Sequence, residues 1–392
     1  MKFLKETEEK VLETREDLGA YLDSIKDDVW DNPFVRDCAC VSIDPATPIL
    51  WPLYNNELSY IKHGIKQTVK PLDLEDENVR ECIESGTGVF FIYPAKTREV
   101  LPSYTRAFIG MCQRAGDECA TMTRFEAKPT KSVLPIGEKV KRLTNDFELS
   151  SERCIVLKRW GKVMAVHSQF YVPLPMNDLI SILEDTIGGD HPEYEFADGI
   201  VNNDYLMANY NINDEMMEES FRLSLNDAGR DVKSVKAGIS FISSDTASSA
   251  VRASCFYDVD GVRITLGKPV YIAHKGEADM NKVRSEFSNL GSVFKENEEL
   301  IENLGNIEIN DVGGVILKIK EKYSFMPKDL TEKVALEYKG AGTAIDVYLA
   351  LNELIQLMNS TLNTYLSNRE TVERMLNLPF EKIDRDEEWQ KV

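Results

Sequence analysis

The stretch VKSVKAGISFISSDTASSAVRASCFYDVDGVRITLGKPVYIAHKG, residues 232–276, decides the fold. It reads as three strands, Ser234 to Ser243, Ala250 to Tyr257 and Val262 to Ala273, rich in β-branched and aromatic residues. The second and third meet at Asp258 to Gly261, where an Asp-Gly pair supplies the positive φ that a tight hairpin turn demands. After Lys275 and Gly276, the spacing of Met280, Val283, Phe287, Leu290, Phe294 and Leu300 predicts one long helix reaching Gly305. One helix can cover one face of a sheet, so the stretch is a self-sufficient β-β-β-α unit.

Outward from this unit the chain reads as α+β, with antiparallel sheets and helices packed on one face. With 392 residues and 43% apolar content it can build two or three domains. The expected division is an N-terminal α+β region (1–150) with an acidic leading helix, a central domain (151–305) and a C-terminal helical region (306–392). Cys154 to Lys158 and Val163 to His167 form a hairpin around Arg159, Trp160 and Gly161. A helix follows from Asp178 to Ile187, with Gly188 and Gly189 as its C-cap. Strands are expected near Tyr194 to Phe196 and Tyr205 to Asn211, and helices over Asp311 to Tyr323 and Thr343 to Tyr365. The last of these is apolar on more than one face, which suits burial or a subunit contact. The charged end from Glu381 to Val392 reads as loose.

A net charge of −20 excludes a uniformly basic coat for duplex DNA and suits a protein partner on the acidic surface. The seven cysteines have no framework spacing and read as reduced core thiols of a cytoplasmic protein. The leading Met-Lys-Phe-Leu-Lys has no apolar run, so no signal peptide is expected, and no segment is long enough to span a membrane. Four histidines form no metal-ligand spacing; His63 with Cys38, Cys40 and Cys82 lacks the paired ligands of a zinc site. Gly86 to Gly88 is too short to cradle a phosphate and reads as a turn. Ser243, Ser244 and Asp245 read as turn chemistry. No nucleotide-binding, nucleophile-elbow or cofactor motif is present, so no cofactor and no catalytic residue are expected.

Charge distribution is more informative. Basic residues outnumber acidic ones between Arg124 and Lys162, a local reversal in an acidic chain. Lys158, Arg159, Trp160 and Lys162 place an aromatic face among cations at a hairpin tip, the residue types that neutralise phosphates and stack bases. The plain alternative is a solvent-exposed turn whose Trp packs on its own sheet. Arg252, Arg263, Lys268 and Lys275 lie on the β-β-β-α unit, and the alternation of its strands lets Arg252 and Arg263 share a polar, open face.

From Leu157 to Met358 the chain resembles the domain-of-unknown-function family 932, found in phage- and plasmid-borne proteins. The likeness rests on the run Gly161 to Tyr171, the strand at Tyr205 to Tyr210, the strand Ala237 to Ser243 with Ser244 and Asp245, and Gly342 to Tyr348 opening a late helix. The family's Cys-Asn pair is altered here, because Phe256 follows Cys255. The resemblance implies mobile-element DNA metabolism. By topology the β-β-β-α unit is also similar to the core of the Rad52-type single-strand annealing proteins, which form rings that hold single-stranded DNA.

The leading expectation is therefore a non-enzymatic, homo-oligomeric, phage-type protein that binds single-stranded nucleic acid through Lys158, Arg159, Trp160 and Lys162, helped by Arg252, Arg263 and Lys268. A second is an acidic structural or interaction protein, a virion component or host-defence inhibitor. A third is a metal-dependent nuclease, which requires Asp245, Glu277 and Asp279 to converge.

Overall fold

A computed structural model describes residues 8–43, 50–51, 53–54, 57–62, 65–68, 75–84, 89–93, 99–124 and 128–392. Gly86 to Gly88, His63 and the Cys82 side chain lie outside the described residues.

The architecture is mixed α+β, built on antiparallel sheets. The strands of the deciding stretch are Val235–Ser243 and Val251–Val259, followed by two short strands, Val262–Thr265 and Val270–Ile272. They extend a seven-stranded sheet whose order begins with Lys10–Leu12, Glu195–Val201 and Leu206–Ile212. Register places Tyr210, Ile239 and Cys255 in one row, and Ala208, Phe241 and Ala253 in the next. These rows face the main core, where they meet Phe221, Val283, Phe287 and Phe294 from the covering helices. Phe221 and Tyr257, both fully buried, stack with centroids 3.6 Å apart. Such a pair contributes about 0.5–1.5 kcal/mol beyond the area it buries.

The opposite rows hold Asn209, Ser240 and Ser254, and Met207, Ile242 and Arg252. This is the face expected to be open. It is closed by the helix Leu362–Met375: Leu362 and Leu366 pack on Met207 and Ile242, and Arg369 Nη1 donates to Ser240 Oγ at 3.0 Å. Helices thus lie on both faces rather than one.

Other departures have local causes. The predicted third strand is two, because Gly267 takes φ +76° and Pro269 offers no N–H to the ladder. The predicted long helix is two, Met280–Phe287 and Leu290–Gly305. At the break the side chains of Ser288 and Asn289 both donate to the Ser285 carbonyl, competing with the helical ladder. Gly188 and Gly189 do not end their helix, which runs Met176–Asp190. A Cβ at Gly188 would stand 3.1 Å from the Tyr194 ring, so the glycine serves packing. The late apolar helix ends at Leu357, and Thr361 caps the next. It is buried in this chain's own core from Ala344 to Ile355 apart from Asp346 and Glu353, leaving little for a subunit contact. Nor is the end of the chain loose: Ile383 and Trp389 are buried, and Lys322 donates to the Trp389 carbonyl from above its ring.

The two main cores do not follow the expected boundaries at 150 and 305. Leu18, Tyr21, Leu22 and Ile25 of the leading helix (Arg15–Ile25) join the core of the central sheet. Cys154, Val156, Val163 and Val166 of the hairpin join a second core with Phe91, Phe108, Met111, Leu143 and Phe147.

Candidate functional site

The hairpin forms as expected, with strands Cys154–Arg159 and Lys162–Ser168 around Trp160 and Gly161. Both turn residues have positive φ, 52° and 74°. For a bulky residue such as Trp160 this backbone is strained and needs support. The support comes from the leading helix: Trp160 Nε1 donates to the Ser24 carbonyl at 2.8 Å, and the indole meets Tyr21 edge-on.

The cations beside it are also committed. Arg159, 5% exposed, is clamped between Asp28 and Asp245, with 2.5 Å to each. Burial pushes the Asp28 carboxyl up and Arg159 pulls it back. Lys158 pairs with Asp31 at 2.7 Å, and the buried Lys162 with Glu81. Arg252 pairs with Glu370 and Glu373 of the closing helix, and Arg263 stands 3.6 Å from Asp198 while lying over Phe256. Lys268 lines a cleft shared with Glu296, Glu299 and Glu373. The predicted groove is therefore not an open surface. Lys158, Arg159, Lys162, Arg252 and Arg263 form ion pairs with carboxylates remote in sequence, and Trp160 holds the leading helix by its hydrogen bond to Ser24; Lys268 stays exposed.

A different site lies at the other end of the hairpin. The strand Lys162–Ser168 delivers His167, and Phe170 and Tyr171 follow it. The helix Thr105–Ala115 runs beside this strand, and a Cβ at Gly110 would fall 2.1 Å from the Val166 carbonyl oxygen. That glycine allows the close approach which brings Gln113 and Arg114 to the site. On the far side, Val172 N donates to the His274 carbonyl at 2.9 Å, joining the hairpin's exit to the end of the Val270–Ile272 strand. Together they enclose a cleft of about 400 Å³ lined by Arg114, His167, Phe170, Tyr171, Tyr271, His274 and Lys275, among others.

The cleft is walled by stacked rings. Tyr171 lies 3.8 Å from His167, 5.1 Å from His274 and 5.7 Å from Trp30, all within 20° of parallel. Burial lowers His167 to about 4 and also lowers His274, so both are neutral at pH 7. A carbonyl oxygen only accepts, so the proton of His167 sits on Nε2, 2.9 Å from the Asp245 carbonyl. That of His274 sits on Nδ1, 3.2 Å from the Val172 carbonyl. His274 Nε2 then keeps a lone pair, buried and without a partner, as is the Arg114 Nε–H. Leaving such a group unsatisfied costs about 1–3 kcal/mol. At the rim Phe170 is 72% and Tyr271 63% exposed, an unusual exposure for two large rings around one cleft.

Charge separates this cleft from its neighbours. The one holding Lys268 carries three glutamates, and another, holding Arg263, carries Glu9, Asp198 and Asp258. The aromatic cleft is lined by Arg114 and Lys275 and by no carboxylate, although the exposed Glu152, outside the lining, stands 3.9 Å from Arg114 Nη1. Among the described residues no three of His, Cys, Asp and Glu are grouped to hold a metal ion. Asp245 holds Arg159, while Asp279 caps a helix by accepting from Lys282 N at 2.7 Å. Cys38, Cys40, Cys112, Cys154 and Cys255 are buried, and burial pushes the Cys112 thiol up to about 12. Cys119 is exposed.

Sequence reasoning singled out Lys275 as a basic residue of the β-β-β-α unit but did not assemble the rest of this cleft. Its readable signals were Tyr271, alternating outward between Val270 and Ile272, and the Phe170-Tyr171 pair between a strand and a proline-bearing turn. No protein-family model, no curated protein and no solved structure matches the chain. No helix among the described residues is long and apolar enough to cross a membrane.

Proposed function

We propose that the protein binds single-stranded nucleic acid without transforming it, and that one unpaired nucleotide enters the aromatic cleft. The observation that supports this most is the lining: stacked rings, exposed Phe170 and Tyr271, two cations and no carboxylate, in a chain of net charge −20. Stacking on an aromatic side chain is worth about 1–3 kcal/mol per base, and Arg114 and Lys275 neutralise phosphates. The contact surface moves from the hairpin tip to the hairpin's exit. We further propose that this activity belongs to phage or plasmid DNA metabolism, within a homo-oligomer in the bacterial cytoplasm.

The test is fluorescence anisotropy of a labelled strand of roughly 40 nucleotides, DNA and RNA in turn, at low and moderate salt. Binding that weakens steeply with salt and drops on Tyr271→Ala supports the cleft. Absence of binding at micromolar protein and low salt removes the proposal. It would favour the second reading, an acidic interaction protein, which draws support from the ion pairs that occupy Lys158, Arg159, Lys162 and Arg252.

A further inference from the structure

Two arginines of the hairpin region face carboxylates, and the strength of the two contacts differs widely. Arg159 lies 2.5 Å from both Asp28 and Asp245, out of solvent. Arg114 Nη1 lies 3.9 Å from Glu152 Oε2, and these side chains are 23% and 58% exposed. At that distance the pair is ionic without a hydrogen bond, and exposed pairs of this kind are weak. Glu152 is anchored by its backbone: its N–H donates to Ser150 Oγ at 3.3 Å, and its carbonyl accepts from the Val35 N–H at 2.9 Å. The carboxylate can therefore leave Arg114 without disturbing the chain. Arg114 sits in the last turn of the helix Thr105–Ala115, which Gly110 packs closely against the hairpin, so the guanidinium stays at the cleft when the carboxylate departs. A phosphate offers a guanidinium paired, charge-assisted hydrogen bonds that Glu152 does not make. We propose that Glu152 is a positioning and selectivity residue of the cleft: it holds Arg114 in the free protein and yields it to a backbone phosphate of the bound strand.

This rests on the nucleic-acid reading above and deepens it, by naming the strand group that Arg114 takes and the protein group it displaces. A loose anion must displace Glu152 unaided. A phosphate joined to a base stacked on Phe170 or Tyr271 arrives at a high local concentration and has the advantage. Glu152 thus biases the cleft against free phosphate and stray carboxylates and towards a strand. The same contact could not work at the hairpin turn, where displacing either carboxylate from Arg159 would leave a buried charge unpaired.

The experiment measures anisotropy at low salt with two labelled thymidine oligomers of equal length, one with the natural phosphodiester backbone and one with an uncharged methylphosphonate backbone. Glu152→Gln should tighten binding of the phosphodiester oligomer about two- to fivefold and leave the methylphosphonate oligomer unchanged. In an Arg114→Gln background the same substitution should give no gain. Glu152→Asp keeps the charge but withdraws it by one methylene, so it should give part of the gain. An unchanged affinity in Glu152→Gln overturns the proposal while strand binding stands. So does a gain that also appears on the uncharged backbone, or one that persists without Arg114, since Glu152 would then be one negative charge among many. Failure of the unaltered protein to bind the phosphodiester oligomer removes the functional reading and this one with it. Glu152 is exposed and its substitution leaves the fold intact, so Glu152→Gln and Glu152→Asp decide the matter even where Arg114→Gln does not fold.

Discussion

The two ends of one hairpin carry the same kinds of side chain and use them in opposite ways. At the turn, Arg159, Trp160 and Lys162 are locked onto Asp28, Ser24, Asp245 and Glu81. At the exit, Phe170 stands open beside Arg114, Tyr271 and Lys275. Both are aromatic-and-cation clusters. What separates them is how carboxylates meet the cations: buried ones grip Arg159 and Lys162 at the turn, whereas the exposed Glu152 approaches Arg114 to 3.9 Å at the exit, and these carboxylates are remote in sequence. A cation beside an aromatic residue therefore identifies a nucleic-acid contact only once the facing element is known.

The strongest way to break the comparison is at Arg159. Arg159→Ala leaves Asp28 and Asp245 buried without a partner, and urea unfolding should show a loss of about 3–5 kcal/mol. A loss below 1 kcal/mol would mean the clamp is not structural. Next is the pH dependence of stability. His167 titrates near 4 in the folded state and near 6.5 when unfolded. In that interval the unfolded chain binds the proton that the folded one refuses. The contribution is thus fully present above about pH 6.5 and is lost as pH falls towards 4, by roughly 2–3 kcal/mol. His167→Gln should flatten this part of a melting-temperature profile, and an unchanged slope would assign it elsewhere.

Smaller effects sharpen the contrast. Tyr271→Ala should shift stability by no more than about 0.5 kcal/mol, since the ring is exposed, yet weaken strand binding by about 1–3 kcal/mol. Trp160→Ala should do the reverse, lowering the melting temperature and leaving the affinity of the folded protein unchanged. The two variants, read by melting and by anisotropy, exchange roles if the hairpin tip is the true contact. Last, Lys275→Ala should lower the salt slope of binding by about one unit at unchanged stability.

Much of the scaffold was legible in the sequence because its signals are local. The Asp-Gly turn is there: Asp260 and Gly261 both take positive φ and join the paired strands. So are the turn at Trp160 and Gly161 and the strands of the central sheet. Lengths were less legible. Alternation ran on through Gly267 and Pro269, and helical spacing through Ser288 and Asn289, because periodicity records a buried face and not the hydrogen bonds that interrupt it. The site was hidden for a different reason. Arg252 sits at a position that alternation sends to a wet face, and nothing local shows that Glu370 and Glu373 will cover it. The cleft draws on Arg114, Tyr171 and His274, which no sequence window contains together.

The closing helix has one more consequence, for synthesis on the ribosome. Its first N–H, that of Leu362, donates to Glu9 Oε1 across 353 residues, and the strand Lys10–Leu12 beside Glu9 pairs with Glu195–Val201. The outermost strand must therefore wait unpaired while some 190 residues follow it, and the second face of the sheet stays bare until the helix Leu362–Met375 leaves the exit tunnel. A nascent chain of this protein presents Met207 and Ile242 from their own synthesis until the helix Leu362–Met375 has emerged, so it should be a client of the chaperones that bind exposed apolar surface.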